Sequence, residues 1–250
     1  AKLRHIPPEE KKVALIFHNY PPRNDNIGHA AGLDSAASAV NLLNEMKKQG
    51  YKLDFVPEDG QELMDTVISG LTNDQRWSSL DELAEKAVDK VSGSQYAEWY
   101  NELTTEVQQK LKKQWGNPPG KMFNHNNSIL VPGTLNGNLF IGLQPTRGFI
   151  ADAESVYHSP DLPPPYQYHC YYHWIRDVFK ADVIIHFGKH GTMEWLPGKS
   201  VGLSESCFPD IIISDLPNVY PYLIDDPGEG TGACLLYTSD AADEEDSVDL

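Results

Sequence analysis

The order strand, polar loop, helix, glycine, strand over residues 11 to 56 narrows the fold more than any other feature of the chain. Val13-Ala-Leu-Ile-Phe17 reads as the first strand, and a polar loop from His18 to Asn26 follows. Asp34 or Ser35 is placed to cap a helix running to about Gln49. Gly50 ends that helix, and Tyr51 to Val56 alternates as a second strand. A βαβ unit of this kind requires a parallel sheet with a right-handed crossover. The expected fold class is therefore α/β, built from parallel-sheet βαβ units. The junction from Gly28 to Ser35 exposes helix-end amides that suit an anion such as a propionate, although helix capping alone accounts for it.

The remaining chain divides by composition. Residues 1–57 form the first α/β unit. Residues 58–120 are rich in Glu, Lys, Gln and Leu, with helical periodicity over Asp74 to Val91 and Ser94 to Trp115. This stretch reads as a helical insertion or lid, closed off by Gly116-Asn-Pro-Pro-Gly120. Trp77, Trp99 and Trp115 are expected to pack rather than to hold a cofactor. Residues 121–233 return to strands, Ile129 to Val131 and Leu139 to Leu143, with Gln144 and Arg147 just past the second. Arg147 is placed either to pair with a ligand carboxylate or to form a surface salt bridge. After a break at Pro160 to Pro165 come an aromatic-rich helix, Tyr166 to Phe179, and a strand, Ala181 to Ile185.

That last strand leads into the segment with the most chemistry, Asp182-Val-Ile-Ile-His186-Phe-Gly-Lys-His190-Gly-Thr-Met-Glu194-Trp-Leu-Pro-Gly-Lys199. Two imidazoles and a carboxylate close together in sequence can ligate a borderline divalent metal such as Co²⁺, Ni²⁺ or Zn²⁺. The same groups can instead move protons on a bound substrate. In open α/β sheets, ligands bind beyond the carboxyl ends of the strands, where this segment lies. The competing reading is a satisfied core histidine at His186 and an exposed loop acid at Glu194. Gly188 and Gly191 argue against a helix here, and no Glu follows His186 as in a zinc-protease helix. Gly198-Lys199-Ser200 is not a phosphate loop, because Met193 stands where that loop needs a glycine.

Net charge is −16. Residues 234–250 hold four Asp and two Glu with no Lys or Arg, so residues 1–233 carry −16 + 6 = −10. This acidity argues against a nucleic-acid or anionic-membrane partner. At 40% hydrophobic and 22% charged, the chain is globular in composition. Cys170, Cys207 and Cys234 form no CxxC pair, which fits a reduced, cytoplasmic setting. No run approaches the roughly 18 apolar residues of a membrane span.

Five stretches, in order, resemble one family. They are Ala14 to Asp34 with His18, Arg23 and Gly28; Gly137 to Gly148 with Gln144 and Arg147; Tyr157-His158-Ser-Pro-Asp161-Leu-Pro-Pro; His186 to Lys199; and Leu216-Pro-Asn-Val-Tyr220-Pro-Tyr222 leading into Asp226-Pro-Gly-Glu229-Gly. Together they look like the large subunit of cobaltochelatase, in the family shared with the magnesium chelatase H subunit. Trp195-Leu-Pro resembles the cobalt branch, since the magnesium branch tends to carry Phe-Met-Pro. Tyr166 departs from the pattern, in which a histidine is common, so no role of that histidine is carried over. Because those subunits are far longer chains, this sequence is expected to be an internal fragment of a large multidomain subunit. The segment from Cys234 to Leu250 resembles translated sequencing-adapter read-through, with native sequence expected to stop near Ala233; the other reading is a solvated acidic tail.

The resemblance implies insertion of a divalent metal into a tetrapyrrole. For the cobalt branch this is Co²⁺ into hydrogenobyrinic acid a,c-diamide in cobalamin biosynthesis; for the magnesium branch it is Mg²⁺ into protoporphyrin IX. ATP is then used by AAA+ partner subunits, not by this chain. His186, His190 and Glu194 are the expected metal and proton set. His18, Arg23, Arg147 and Lys199 are weaker candidates for positioning the macrocycle. A metal-dependent hydrolase built on the same His186, His190 and Glu194 is the alternative from another class.

Overall fold

A computed structural model describes residues 2–30, 32–76, 78–148, 159, 161–188, 192–199 and 202–221. Strand β1 (Val13–Phe17) is followed by helices α1 (Ser35–Lys48), α2 (Gly60–Ser69) and α3 (Leu80–Lys86). Then come β2 (Asp89–Ser92), α4 (Gly93–Glu102), α5 (Thr105–Trp115), β3 (Asn124–His125), β4 (Ser128–Val131), β5 (Thr134–Asn136) and β6 (Leu139–Leu143). Helix α6 (Tyr166–His173) runs on as a wider π turn to Phe179, before β7 (Val183–Phe187), α7 (Phe208–Ile213) and β8 (Asn218–Val219).

The main sheet has the order β5-β6-β1-β7-β8. β1 pairs in parallel with β6 on one side and β7 on the other, β8 is parallel to β7, and β5 closes one edge antiparallel to β6. Alternation along the strands sorts their side chains onto two faces. Val13, Leu15, Phe17, Leu139, Ile141 and Leu143 pack with Leu43 and Leu63 of α1 and α2. Ala14, Ile16, Phe140 and Ile184 pack on the opposite side with α4, α5, α6 and α7. The result is a three-layer α/β/α core on a mostly parallel sheet, within the α/β class that the sequence predicts.

Helix α6 lies between the sheet and the inserted segment, and all eight of its residues are buried. That explains its aromatic composition: a helix covered all round has no polar face to present. Its approach to the sheet is set by Gly142, where an added Cβ would stand 1.9 Å from the Tyr171 hydroxyl.

The structure corrects four sequence expectations. Tyr51 to Val56 is not a strand. β5 takes the sheet edge instead, and the amides of Asp54 and Phe55 donate to the Asn136 side chain rather than to a ladder. The Asp74–Val91 helix shrinks to α3, opened by a Ser79/Glu82 capping box, and Asp89 onward pairs with β4. The long Ser94–Trp115 helix is two helices, because Thr104 caps a new start, its side chain accepting from the Val107 amide. The inserted region is thus not purely helical: its strand β2 joins β4 and β3, which follow the insertion, in a three-stranded antiparallel sheet. Finally, β7 extends to Phe187, so His186 lies inside a strand, opposite Ile16, rather than past its end. Trp99 is buried and the Trp115 indole donates to the Pro163 carbonyl, both as packing residues, while Trp77 lies outside the described residues.

Gly142→Ala is expected to cost about 1–3 kcal/mol through overpacking, read from the urea midpoint. The Tyr171 hydroxyl has no hydrogen-bond partner among the described residues, so Gly142→Ala/Tyr171→Phe should recover the part of the loss due to that contact, while the Phe140 ring still has to shift. A double variant as unstable as the single would show that the contact does not limit the approach.

Candidate metal and proton-transfer site

The carboxyl ends of β1, β6 and β7 meet at one edge of the sheet. β1 leads toward α1 on one face, whereas β6 and β7 lead toward α6 and α7 on the other. In this architecture, ligands usually bind beyond the strand ends at such a change of side. His18 follows β1, Gln144 follows β6, and Gly188 follows β7. Their backbones are joined: the His18 amide donates to the Phe187 carbonyl (2.9 Å) and the Gln144 amide to the Phe17 carbonyl (2.9 Å). Gly188 has φ +126°, which L side chains rarely adopt, and its would-be Cβ stands 3.1 Å from that of His18.

A buried polar network links these strand ends. The Asn73 amide donates to the Asn19 side-chain oxygen (2.9 Å) and to the Gln144 carbonyl (2.8 Å). Gln144 Nε2 donates to the Tyr172 hydroxyl (3.1 Å), and its Oε1 accepts from the Thr192 amide (2.8 Å). Tyr172 in turn lies 2.8 Å from His186 Nε2, and His186 Nδ1 lies 2.8 Å from Asn218 Oδ1. Proton directions close consistently if His186 carries its proton on Nδ1, donates to Asn218 and accepts from Tyr172. Thr192 is held a second time, its hydroxyl 2.9 Å from that of Tyr168. Burial pushes the His186 pKa down to about 4, the Asn218 hydrogen bond opposing, so the ring is neutral near pH 7.

The expected site residues fall into distinct settings. His186 and His18 are buried at adjoining strand ends. His190 lies outside the described residues. Glu194 falls in a short 3₁₀ turn, Met193–Trp195, and its side chain is outside the described set. Arg147 is 3% exposed, so it does not lie on the surface, and its guanidinium donates to the carbonyls of Ser159 and Leu162, fastening the proline-rich segment before α6. Arg23 forms a side-chain pair with Asp25 on an exposed loop. Lys199 is exposed, and its amide donates to Cys207 Sγ (3.3 Å). The α1 amides read as an anion subsite are already served by Asp34, which accepts from the Ala37 amide. Among the described residues, no three His, Cys, Asp or Glu side chains cluster as a metal site.

Sequence reasoning did not single out Tyr172, Asn218, Asn73 or Thr192. Tyr172 was hidden in a helix where every residue is buried. Asn218 carried a signal, since a lone amide between Leu216-Pro217 and Val219 is an unusual guest in a short apolar strand.

The comparisons with known proteins converge. Residues 1–234 match the CobN/Magnesium Chelatase family model. The chain belongs to the CobN/magnesium chelatase family. It is 41% identical over 233 residues to the aerobic cobaltochelatase subunit CobN of Pseudomonas aeruginosa, covering 93% of this chain and 18% of that protein. It is 34% identical over 233 residues to the magnesium-chelatase subunit ChlH, chloroplastic, of Oryza sativa subsp. indica, covering 93% of this chain and 16% of that one. The fold matches the catalytic subunit of cobaltochelatase from Mycobacterium tuberculosis with a TM-score of 0.79 and 38% identity, over 94% of this chain and 20% of that one. The chain thus spans about a fifth of the length of these family members.

Three buried histidines make stability pH-dependent. Burial, with Arg176 nearby, holds His173 at about 4 despite Asp177, so it is not an ion pair with Asp177 at neutral pH, and burial pushes His169 well below its ordinary value. With His186, these groups are neutral in the folded chain and gain protons more readily when unfolded. For His173 and His186 the contribution is therefore complete above about pH 6.5 and is lost as pH falls toward 4, by about 1.4 kcal/mol per pH unit for each, and His169 acts in the same direction. Denaturant titrations between pH 6.5 and 5 should show His173→Gln flattening this slope by about one proton relative to the parent chain. An unchanged slope would mean that His173 is already charged in the folded state.

Proposed function

We propose that this chain is the part of an ATP-dependent cobaltochelatase large subunit that handles the metal and the ring protons during insertion of Co²⁺ into hydrogenobyrinic acid a,c-diamide. The observation that carries the reading is the buried His186 near the carboxyl end of β7, beside the β1 and β6 ends that lead to His18 and Gln144, within a family match spanning residues 1–234. Insertion must strip water from the metal, bend the ring so that its nitrogens turn outward, and remove two pyrrolic protons. Neutral imidazole serves either as a ligand for Co²⁺ or as a proton acceptor near pH 7. Glu194 supplies the carboxylate, as a ligand or as the base that takes a ring proton. His18, Arg23, Arg147 and Lys199 are the candidates for seating the macrocycle, Arg147 and Arg23 acting through the loops they hold.

The cobalt reading is favoured over magnesium by the higher identity to an aerobic cobaltochelatase subunit, 41% against 34%, and by Trp195-Leu196-Pro197. Mg²⁺ insertion into protoporphyrin IX is the second reading, supported by the same family model. A stand-alone metal hydrolase leaves the family match along the rest of the chain unexplained. ATP hydrolysis belongs to AAA+ partner subunits in this scheme, consistent with Met193 standing where a phosphate loop needs glycine. A cytoplasmic setting fits the reduced cysteines, and no helix among the described residues is long and apolar enough to cross a membrane.

The test is an absorbance titration of the full-length subunit with hydrogenobyrinic acid a,c-diamide, followed by Co²⁺ and its ATPase partners. The macrocycle band should shift on binding and shift again on metallation. Glu194→Gln and His190→Ala should each slow metallation by on the order of 10²-fold or more, the scale of a lost general base. A folded subunit that binds protoporphyrin IX and prefers Mg²⁺ would replace the cobalt reading. One that binds no macrocycle would end both.

A further inference from the structure

We infer that Gln144 and Tyr172 are positioning residues for metallation: they clamp, at two points, the segment that carries His190 and Glu194. The inference rests on the function proposed above and assigns His186 to the clamp rather than to the metal.

The two attachment points flank the chemistry. His186 is the first, held by Tyr172 at Nε2 and Asn218 at Nδ1. Thr192 is the second, its amide held by Gln144 and its hydroxyl by Tyr168. His190 lies between them, and Glu194 lies two residues beyond the second. The points are not independent, because Gln144 Nε2 also donates to the Tyr172 hydroxyl that binds His186. One side chain from the end of β6 thus fixes the spacing between a strand residue and a loop amide. Gln144, His186 and Thr192 are each under 5% exposed, so no water stands ready to replace a broken bond.

The same geometry bears on metal ligation. With its proton on Nδ1 toward Asn218, His186 has one ring lone pair, and that lone pair accepts the Tyr172 hydroxyl. Ligating a metal would require displacing Tyr172 and freeing a buried hydroxyl. On the proposed function, that leaves metal and ring to His190 and Glu194 and gives His186 an anchoring role. Gly188 lets the chain leave that anchor in a backbone conformation closed to most residues.

The experiment uses the full-length subunit with its ATPase partners, Co²⁺ and hydrogenobyrinic acid a,c-diamide, in three variants: Tyr172→Phe, Gln144→Leu and the pair combined. Each single variant should lower kcat by on the order of 10²-fold, the scale of a misplaced reacting group, while KM for the macrocycle stays within about twofold. The double variant should be no slower than the slower single, because both changes open one clamp. Hydrogen exchange of the peptide spanning residues 188–196 should quicken by about tenfold or more in each, with β1 and β6 peptides unchanged. Unchanged kcat in Tyr172→Phe overturns the inference, as do additive losses in the double variant. A parallel collapse of kcat, KM and melting temperature also overturns it, since that is what a merely structural role produces. If the parent subunit inserts no metal, the proposed function fails by itself, and the exchange of peptide 188–196 then decides the clamp alone.

Discussion

A parallel strand covered on both faces leaves only its ends for polar residues, and β1 imposes that limit on everything around it. All five of its residues are buried, with helices over each face and a parallel neighbour on each side. No polar side chain can enter along its length without losing water and finding no partner. The first polar groups, His18 and Asn19, therefore come at its carboxyl end, beside the corresponding ends of β6 and β7. The site is where it is because the sheet offers no other place for it.

His186 is the exception, and its surroundings show what admitting a polar group costs. It stands one residue inside β7, on the face covered by α6, and both its nitrogens need partners there. Tyr172 and Asn218 supply them, Gln144 completes the coordination of Tyr172, and Asn73 ties Gln144 to the loop after β1. Both ring nitrogens of His186 are satisfied, while Asn73 Oδ1 and Asn218 Nδ2 find no partner among the described residues. The network favours one arrangement because shifting His186 or Gln144 strands a further donor or acceptor. This network spans the ends of three strands, so it also fixes how the three loops stand relative to one another.

The sequence makes some of this plain and hides the rest for definable reasons. Val13–Phe17 and Leu139–Leu143 are legible because short apolar runs bounded by polar and glycine signals have few other uses. α1 is legible from Asp34 and Gly50. Tyr51 to Val56 misleads because alternation records one covered side but not what covers it; here Asn136 and the turn before β6 take the backbone groups a ladder would have taken. The inserted sheet is missed because Asp89–Ser92 is polar and reads as the tail of a helix, and only its pairing with Ser128–Val131 makes it a strand. Within the site, the histidine spacing and Gln144 stand out in the sequence. Tyr172 does not, since its value lies in one hydroxyl among the aromatic side chains of α6.

That division between visible and hidden residues has a physical basis. Groups that do chemistry on a metal or a proton come from a short menu of side chains, and spacing alone draws attention to them. Groups that hold such residues in place can be any donor or acceptor at the right depth, and they come from elements far apart in sequence: β6, α6 and β8 in this case. Their identity depends on which strands become neighbours, and that follows from the crossover of the chain around β1. The proposed function places particular demands on this second set. On that reading the substrates are a hydrated ion and a macrocycle that has to be bent, so the protein must supply the distance between base, metal and ring nitrogen. On that reading, a network anchored at the ends of buried strands is what supplies it, because His186 and Thr192 cannot shift without breaking buried hydrogen bonds.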